Sequence, residues 1–551
     1  MRIQSPPVES PAWATIEAAH ALVLAAVAIF LLSFGLFAFT TSKPRGYELE
    51  TVAVSEGLVR TGHFEIVRDS PLSSAAVSGF GHTGKDGRLY GRSTPVQPVL
   101  EAPFMAAGLL LDELASEGKK SEFRFLLAQF YNPLLAALTA VALFFIVVLT
   151  RRSVQWAAAI SLLFAFASIG WPYAKIGMET TSMFLLAVTL LSALITIRSP
   201  RASMWLLTGM LGALTAASKP VMVFAVLPFG VLLWDPFWRL DKRDRLRTLG
   251  LLGLPFLVGA ASVGWFNAAR HGSLLDFGSD ERLSPTLAAP FNWPGLLVSP
   301  GKGLVFYSPL VLLGALGLLE MWRRNRSLTL AIMGSLVGLV FVVGVSSHWS
   351  EETWGPRYLV PAAWLLLIPI AWWVRSRFRA RILVVVASLG VAVQVVGVVL
   401  PYSTYQYGVR ELTGVPLFEQ RRGGHIPDTA QEVPYGRDPT RWVPQVSPLL
   451  FQTELALSAT SERLGGPALT MTYAPFEGRR QVVHLRDATD RFNLLFPDFW
   501  WAGGRPTPYK IGALAALVLL SSGLVLLWRA VAPTRRGQTA RPQPADPPAD
   551  S

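Results

Sequence analysis

Three observations predict an all-α polytopic membrane protein with about twelve transmembrane helices. Of the 551 residues, 52% are hydrophobic and 15% charged, against roughly a quarter charged in a soluble domain, so most of the surface meets something other than water. Apolar runs of about the 20 residues needed to cross a hydrocarbon core recur along the chain. Lysine and arginine gather in the short links between those runs, the pattern of loops retained on the cytoplasmic side.

The runs fall at residues 18–41, 125–149, 154–170, 178–197, 204–217, 221–234, 249–266, 304–319, 328–345, 358–374, 382–400 and 511–528. The first closes an N-terminal unit, 1–41, whose leading tail holds glutamates and prolines but no early basic region or small-residue cleavage signal. It reads as a retained helix. Residues 42–124 form a first outer loop. Within it the apolar stretch 98–114, PVLEAPFMAAGLLLDEL, does not cross, because a crossing there would place Arg151 and Arg152 outside and invert every later basic link. Being short and carrying Glu101, Asp112 and Glu113, it reads as an amphipathic helix in the outer interface. Residues 125–400 form the transmembrane core, with outer loops at 171–180, 267–303 and 347–357. Residues 401–510 read as an outer-face module with strand-like ALTMTYAPF and RQVVHLRDA between turn residues. The last crossing lies in 511–530, and the Pro-rich 531–551 reads as a disordered cytoplasmic tail. With every basic link inside, both termini are cytoplasmic.

The net charge of +13 is accounted for by those links, and no face combines basic and aromatic residues as a nucleic-acid surface does. With no cysteine, disulfides and thiolate metal sites are excluded. The spans hold almost no charge at mid-membrane depth, Gln394 and Glu320 being the polar exceptions, which argues against a transport pathway. Polar chemistry therefore concentrates in the outer loops.

There, Glu48 and Glu50 stand where the chain leaves the first helix, a position in which a carboxylate can be desolvated toward general-base behaviour. If that segment is helical they diverge by about 200°, so only one can face a common cleft. Glu179 opens a later crossing, either as a residue favoured by the helix dipole or facing the same cavity, where it would orient an acceptor or help hold a cation. Oxygen ligands of this kind suit a hard divalent cation, though no His/Asp spacing specifies a metal. Lys85, Arg88 and Arg92 precede the interfacial stretch, and Lys302 lies in a Gly/Pro turn. Such cations hold phosphate, or else attract anionic headgroups. In HWSEETWGPRYLVP, Arg357 either pairs with Glu351 and Glu352 or reads phosphate, and Trp349 and Trp354 suit interfacial anchors.

The chain resembles the polytopic C-type glycosyltransferases that use polyprenyl-phosphate sugars, in particular bacterial relatives of the protein mannosyltransferases and the lipid A aminoarabinose transferase. DGRLYGRSTPVQPVLEAPF, LLVSPGKGLVFYSPLVLL and WSEETWGPRYLVPAAWLLLIP carry the resemblance, in order, together with an acid after the first helix and a second acid at the next outer turn. The chain departs from the pattern at Tyr47, where relatives have an acid beside Glu48, and at Gly91, where they have Ser. Glu48 versus Glu50 as base therefore stays open.

The resemblance implies a C-type glycosyltransferase fold in a bacterial plasma membrane, with the site on the outer, periplasmic face. It implies a polyprenyl-phosphate-linked sugar donor and a glycan, lipid or protein acceptor. Glu48, Glu50 and Glu179 would be the catalytic acids, and Arg92, Arg357, Lys302 and Lys85 would meet the donor phosphate. Tyr90, Tyr173, His348, Glu351, Glu352 and Trp354 would contact donor or acceptor. Rival readings are a flippase of a lipid-linked sugar and a non-catalytic envelope-assembly protein.

Overall fold

The computed structural model describes residues 16–42, 47–70, 72, 81–91, 93–115, 122–151, 153–276, 289–345, 353–400, 402, 405, 442–444, 447–463, 470–473, 481–484 and 507–531. Helix α1 (Ile16–Thr40) leads into α2 (Tyr47–Thr61), a small hairpin of β1 (His82–Thr83) and β2 (Leu89–Tyr90), and α3 (Val96–Leu114). Then come α4 (Glu122–Arg151), α5 (Val154–Ala167), α6 (Gly170–Ile176), α7 (Thr180–Arg198) and α8 (Ala202–Ser218). The broken helix α9 (Pro220–Trp238) precedes α10 (Lys242–His271), α11 (Ala289–Val298), α12 (Leu310–Trp322), α13 (Arg326–Val345), α14 (Arg357–Trp373) and α15 (Arg377–Val399). Last are α16 (Pro448–Arg463), an antiparallel pair of β3 (Thr470–Tyr473) and β4 (Gln481–His484), and α17 (Thr507–Val531).

Among the described residues eight helices, α1, α4, α7, α9, α10, α13, α15 and α17, are long and apolar enough to cross a membrane. The pair α5 and α6, bent by 54°, makes a ninth if counted as one span, and α8, α12 and α14 are shorter apolar helices. The chain is a multi-pass membrane protein, and each of the twelve apolar runs coincides with one of these segments.

The bends have local causes. Ser168 and Gly170 part α5 from α6, so most of the stretch expected as a tight turn at 171–180 is helical and only Gly177 to Glu179 turns. Pro220 starts the first turn of α9 and Pro228 lies in the tighter turn Leu227–Phe229 that divides it, while Pro236 is carried inside the last piece, Gly230–Trp238. Pro309 starts α12 and leaves Leu304–Tyr307 as a separate turn.

In lipid the hydrophobic effect cannot hold helices together, so packing rests on small residues and on hydroxyls bonded to backbone or to each other. Gly35 of α1 meets the Ala516 carbonyl of α17, where a Cβ would stand 2.8 Å from that oxygen. Thr189 meets Thr215 at 2.9 Å, and Ser192 and Thr196 meet Thr208 at 3.1 and 3.0 Å, a ladder between α7 and α8. Outward-facing side chains of α10 such as Leu246, Leu254, Leu257 and Trp265 are exposed and suited to lipid.

Helix α3 turns its acids inward. Asp112 accepts from Arg124 at 2.6 Å and Glu101 from Ser55 at 3.1 Å, while Val99, Leu100, Leu110, Leu111 and Leu114 are exposed. The acids that marked it as amphipathic thus face the protein, except for exposed Glu113. Glu56 of α2, wholly buried, completes the bracket by accepting from Arg124 at 2.7 Å, from Arg60 at 3.3 Å and from Ser70.

Replacing Gly314 of α12 with valine would drive a Cβ into the Leu366 carbonyl of α14, whereas Gly253 of α10 has open space around it. G314V should cost about 1–3 kcal/mol through overpacking and lower the melting midpoint of the detergent-solubilised protein. G253A should leave it level or slightly higher; equal midpoints for G314V and wild type would contradict this packing.

Candidate functional site

Helix α2 forms because its apolar positions Leu49, Val52, Ala53 and Val54 pack against Ile66, Leu72, Met105 and Ala128, while Glu48 and Glu50 in its first turn complement the positive end of the helix dipole. The helical angle sends the two acids to different walls. Glu48 Oε1 accepts from Asn132 Nδ2 of α4 at 2.6 Å and lies against Gly177, whose φ of +81° and contact with this carboxylate leave no room for a Cβ. Glu50, fully buried, accepts from the Ser93 backbone N–H at 3.3 Å and stands 2.5 Å from where a Cβ on Gly91 would be.

Two residues beyond Gly177, Glu179 occupies the N-cap position of α7 without capping it. The dipole reading is thus not what directs its side chain. Its Oε1 instead meets Lys219 Nζ at 2.5 Å and Arg357 Nε at 2.8 Å, and the carboxylate has no solvent exposure. Both cations also lie by the Tyr358 ring, 4.3 and 5.4 Å from its centroid. Glu179 Oε2 has no hydrogen-bond partner among the described residues. Glu179 thus joins cations from two other segments through a single oxygen. Among the described residues no group of three or more His, Asp or Glu could hold a metal ion.

The walls are tied together. Thr94 Oγ1 donates to the Ser218 carbonyl at 2.8 Å, joining the 91–94 loop to the residue before Lys219. From the far side Arg270 Nη1 donates to the Gly91 and Ser93 carbonyls at 2.7 and 3.1 Å, with the Phe266 ring 4.0 Å from its guanidinium carbon. Glu50 and Arg270 therefore both hold the Ser93 backbone, one at its N–H and the other at its carbonyl.

The structure thus brings Glu48, Glu50, Glu179 and Arg357 to one end of the bundle. Arg92 lies outside the described residues, although both its neighbours are fixed, and His348, Glu351 and Glu352 also lie outside them. Lys302 is buried, donating to the Thr353 carbonyl, with the Tyr402 ring at 5.7 Å. Lys85 is exposed and packs over Gly272 at the end of α10. The Tyr90 hydroxyl donates to Asp86 at 2.8 Å; that bond holds the Asp86 carboxyl below its usual range, while burial and Asp86 push the phenol up. Tyr173 donates to the Trp354 carbonyl at 2.9 Å, and Trp354, with no exposure, packs edge-on to Tyr307 at 5.0 Å. Trp354 is thus a packing residue inside the bundle and not an interfacial anchor.

Sequence reasoning missed Asn132, Lys219 and Arg270. Each had a signal: Asn132 is a polar residue before Pro133 inside an apolar run, Lys219 precedes Pro220 at the break between two runs, and Arg270 stands two residues before Gly272 at the end of a crossing.

A helical membrane bundle with a buried ionic cluster at one end is the class this geometry defines. No protein-family model and no curated protein matches the sequence. Among solved structures the chain is similar to ArnT from Cupriavidus metallidurans bound to undecaprenyl phosphate, at 13% identity and a TM-score of 0.39, covering 95% of this chain and 79% of that one.

Glu101 adds a pH-sensitive tie between α3 and α2. Ser55 has one proton and two acceptors within reach, the Thr51 carbonyl at 3.0 Å and Glu101 at 3.1 Å. A protonated Glu101 donating to Ser55 satisfies all three groups. Burial favours that neutral form and pushes the carboxyl from 4.5 up to about 8. Because the folded chain then binds a proton that the unfolded chain has released, stability falls as pH rises between these values. E101Q should flatten the fall in melting midpoint across that window; parallel curves for E101Q and wild type would remove Glu101 as its cause.

Proposed function

We propose that this protein is a membrane glycosyltransferase that moves a sugar from a polyprenyl-phosphate carrier to an acceptor hydroxyl of a cell-envelope glycan, lipid or protein. The observation that carries the proposal is the convergence of Glu48, Glu179, Lys219 and Arg357 where apolar helices end, which sets the Glu48 carboxylate beside the turn to Glu179 and its two cations. The sequence motifs above support the same reading.

In this reaction the acceptor oxygen forms a bond to the anomeric carbon as the bond from that carbon to the phosphate oxygen breaks. A carboxylate takes the acceptor proton, and the polyprenyl phosphate leaves with the bonding electrons. Glu48 is the better base: it lies beside the turn leading to Glu179 and is oriented by the Asn132 amide. Glu50 sits behind Gly91 and serves the loop on which Arg92 stands. Arg357 and Lys219, with Arg92, hold the phosphate and stabilise the charge that grows on it. Glu179 keeps the two described cations in place. Lys302 and Lys85 are secondary candidates for the phosphate. Twelve crossings, with the basic links and both termini cytoplasmic, would put this site on the periplasmic face of a bacterial plasma membrane.

E48Q should lower turnover at least about a hundredfold, the low end for a lost general base, while donor binding is kept. K219A and R357A should instead weaken donor binding. The assay is sugar transfer by the purified protein, guided by comparing envelope glycans of a deletion strain with those of its wild-type complement. Unchanged glycans, or label crossing the bilayer with no new glycosidic bond, would overturn the proposal.

A further inference from the structure

The opposite end of the bundle carries a second charge cluster. Along α4, Arg151 lies about 28 Å beyond Asn132 at roughly 1.5 Å per residue, close to the thickness of a hydrocarbon core. There Arg151 Nε donates to the Ala371 carbonyl at 3.1 Å, Arg375 Nε to Trp372 at 3.2 Å and Arg379 Nη1 to Trp373 at 2.9 Å. These bonds satisfy the last carbonyls of α14 and give three arginines a structural role.

Charge balance leaves a remainder. Glu320 pairs with Arg375 at 2.8 Å and with Arg379 at 3.5 Å, and it is the one carboxylate bonded to this group among the described residues. Arg324 is exposed, and its guanidinium makes no hydrogen bond or ion pair among the described residues. Arg324 and Arg375 both repel Arg151, whose two terminal nitrogens have no partner among the described residues. Arg151, Arg375 and Arg379, gathered at the end of α14, outnumber the one carboxylate bonded to them among the described residues, which favours an anion there. The Trp372 and Trp373 rings, themselves buried, lie 5.9 and 5.6 Å from Arg151 and Arg379. Leu319 and Phe378, each one residue before a member of the Glu320–Arg379 pair, are both 70% exposed.

We infer that Arg151, Arg324 and Arg375 form a binding site for a phosphate group, supplied by an anionic phospholipid whose acyl chains lie along Leu319 and Phe378. The fork of a guanidinium matches phosphate oxygens, and juxtamembrane arginines attract anionic headgroups. Exposed apolar surface beside the charge favours a lipid source over free phosphate. The site does not depend on the glycosyltransferase reading.

The test is native mass spectrometry of the full-length protein, titrated with phosphatidylglycerol or phosphatidylcholine, with melting midpoints measured in inorganic phosphate. Wild type should retain one phosphatidylglycerol in preference to phosphatidylcholine. R151Q/R324Q should weaken that retention about thirtyfold, from roughly 1 kcal/mol per arginine near the surface. R239Q/R247Q removes the same charge elsewhere and should retain the lipid. The single variant R324Q, at a side chain with no described ion pair or hydrogen bond, guards against a folding defect and should show a smaller loss in the same direction. Stabilisation by inorganic phosphate that R151Q/R324Q abolishes would keep the site and make free phosphate its source. Equal losses in both double variants, or no preference for phosphatidylglycerol, would overturn it.

Discussion

One buried carboxylate organises the candidate site. Glu179 has no exposure, and an isolated charge there would carry a desolvation penalty of several kcal/mol. Lys219 and Arg357 offset it from two other segments, so the start of α7, the break between α8 and α9 and the start of α14 are fixed to one another by a single oxygen. Both partners stand at interruptions: Lys219 precedes Pro220 and Arg357 follows Pro356. Proline ends regular helix there and frees a residue to present its charge sideways.

Helix α2 completes the arrangement as a wedge between walls. Its apolar side is held by α3 and α4, and its two acids reach out in opposite directions, Glu48 to Asn132 and the Gly177 turn, Glu50 to the 91–93 loop. The close approaches depend on two missing side chains. Gly177 takes a left-handed backbone conformation against Glu48, and Gly91 lets Glu50 reach the backbone of the loop that Arg270 grips from behind. Moving one group of this frame would leave a partner buried and unsatisfied.

The two ends of the bundle follow different electrostatic designs. At the Glu179 end acids and cations meet across loops and helix starts. At the Arg151 end arginines cap the carbonyls of α14 and exceed the one carboxylate bonded to them among the described residues, a layout that draws an anion from the membrane surface. Between them lie apolar side chains and a Ser/Thr ladder that satisfies its own hydroxyls.

The number and position of the apolar runs, the basic links and the acids after the first helix were legible in the sequence, because crossing a membrane imposes a length and a charge rule on each segment by itself. Helix α3 was legible as a helix, but the direction of its acids was not: periodicity shows that Glu101 and Asp112 share a side, and only Ser55 and Arg124 decide that this side faces inward. Likewise Glu179 and Arg357 were each visible as charges at loop roots, while their pairing, the part of Lys219, the grip of Arg270 and the burial of Trp354 depend on segments far apart in the chain. Local pattern determined which residues leave the apolar phase. Tertiary packing alone decided which of them meet, because a buried charge is stable only where another segment supplies its partner.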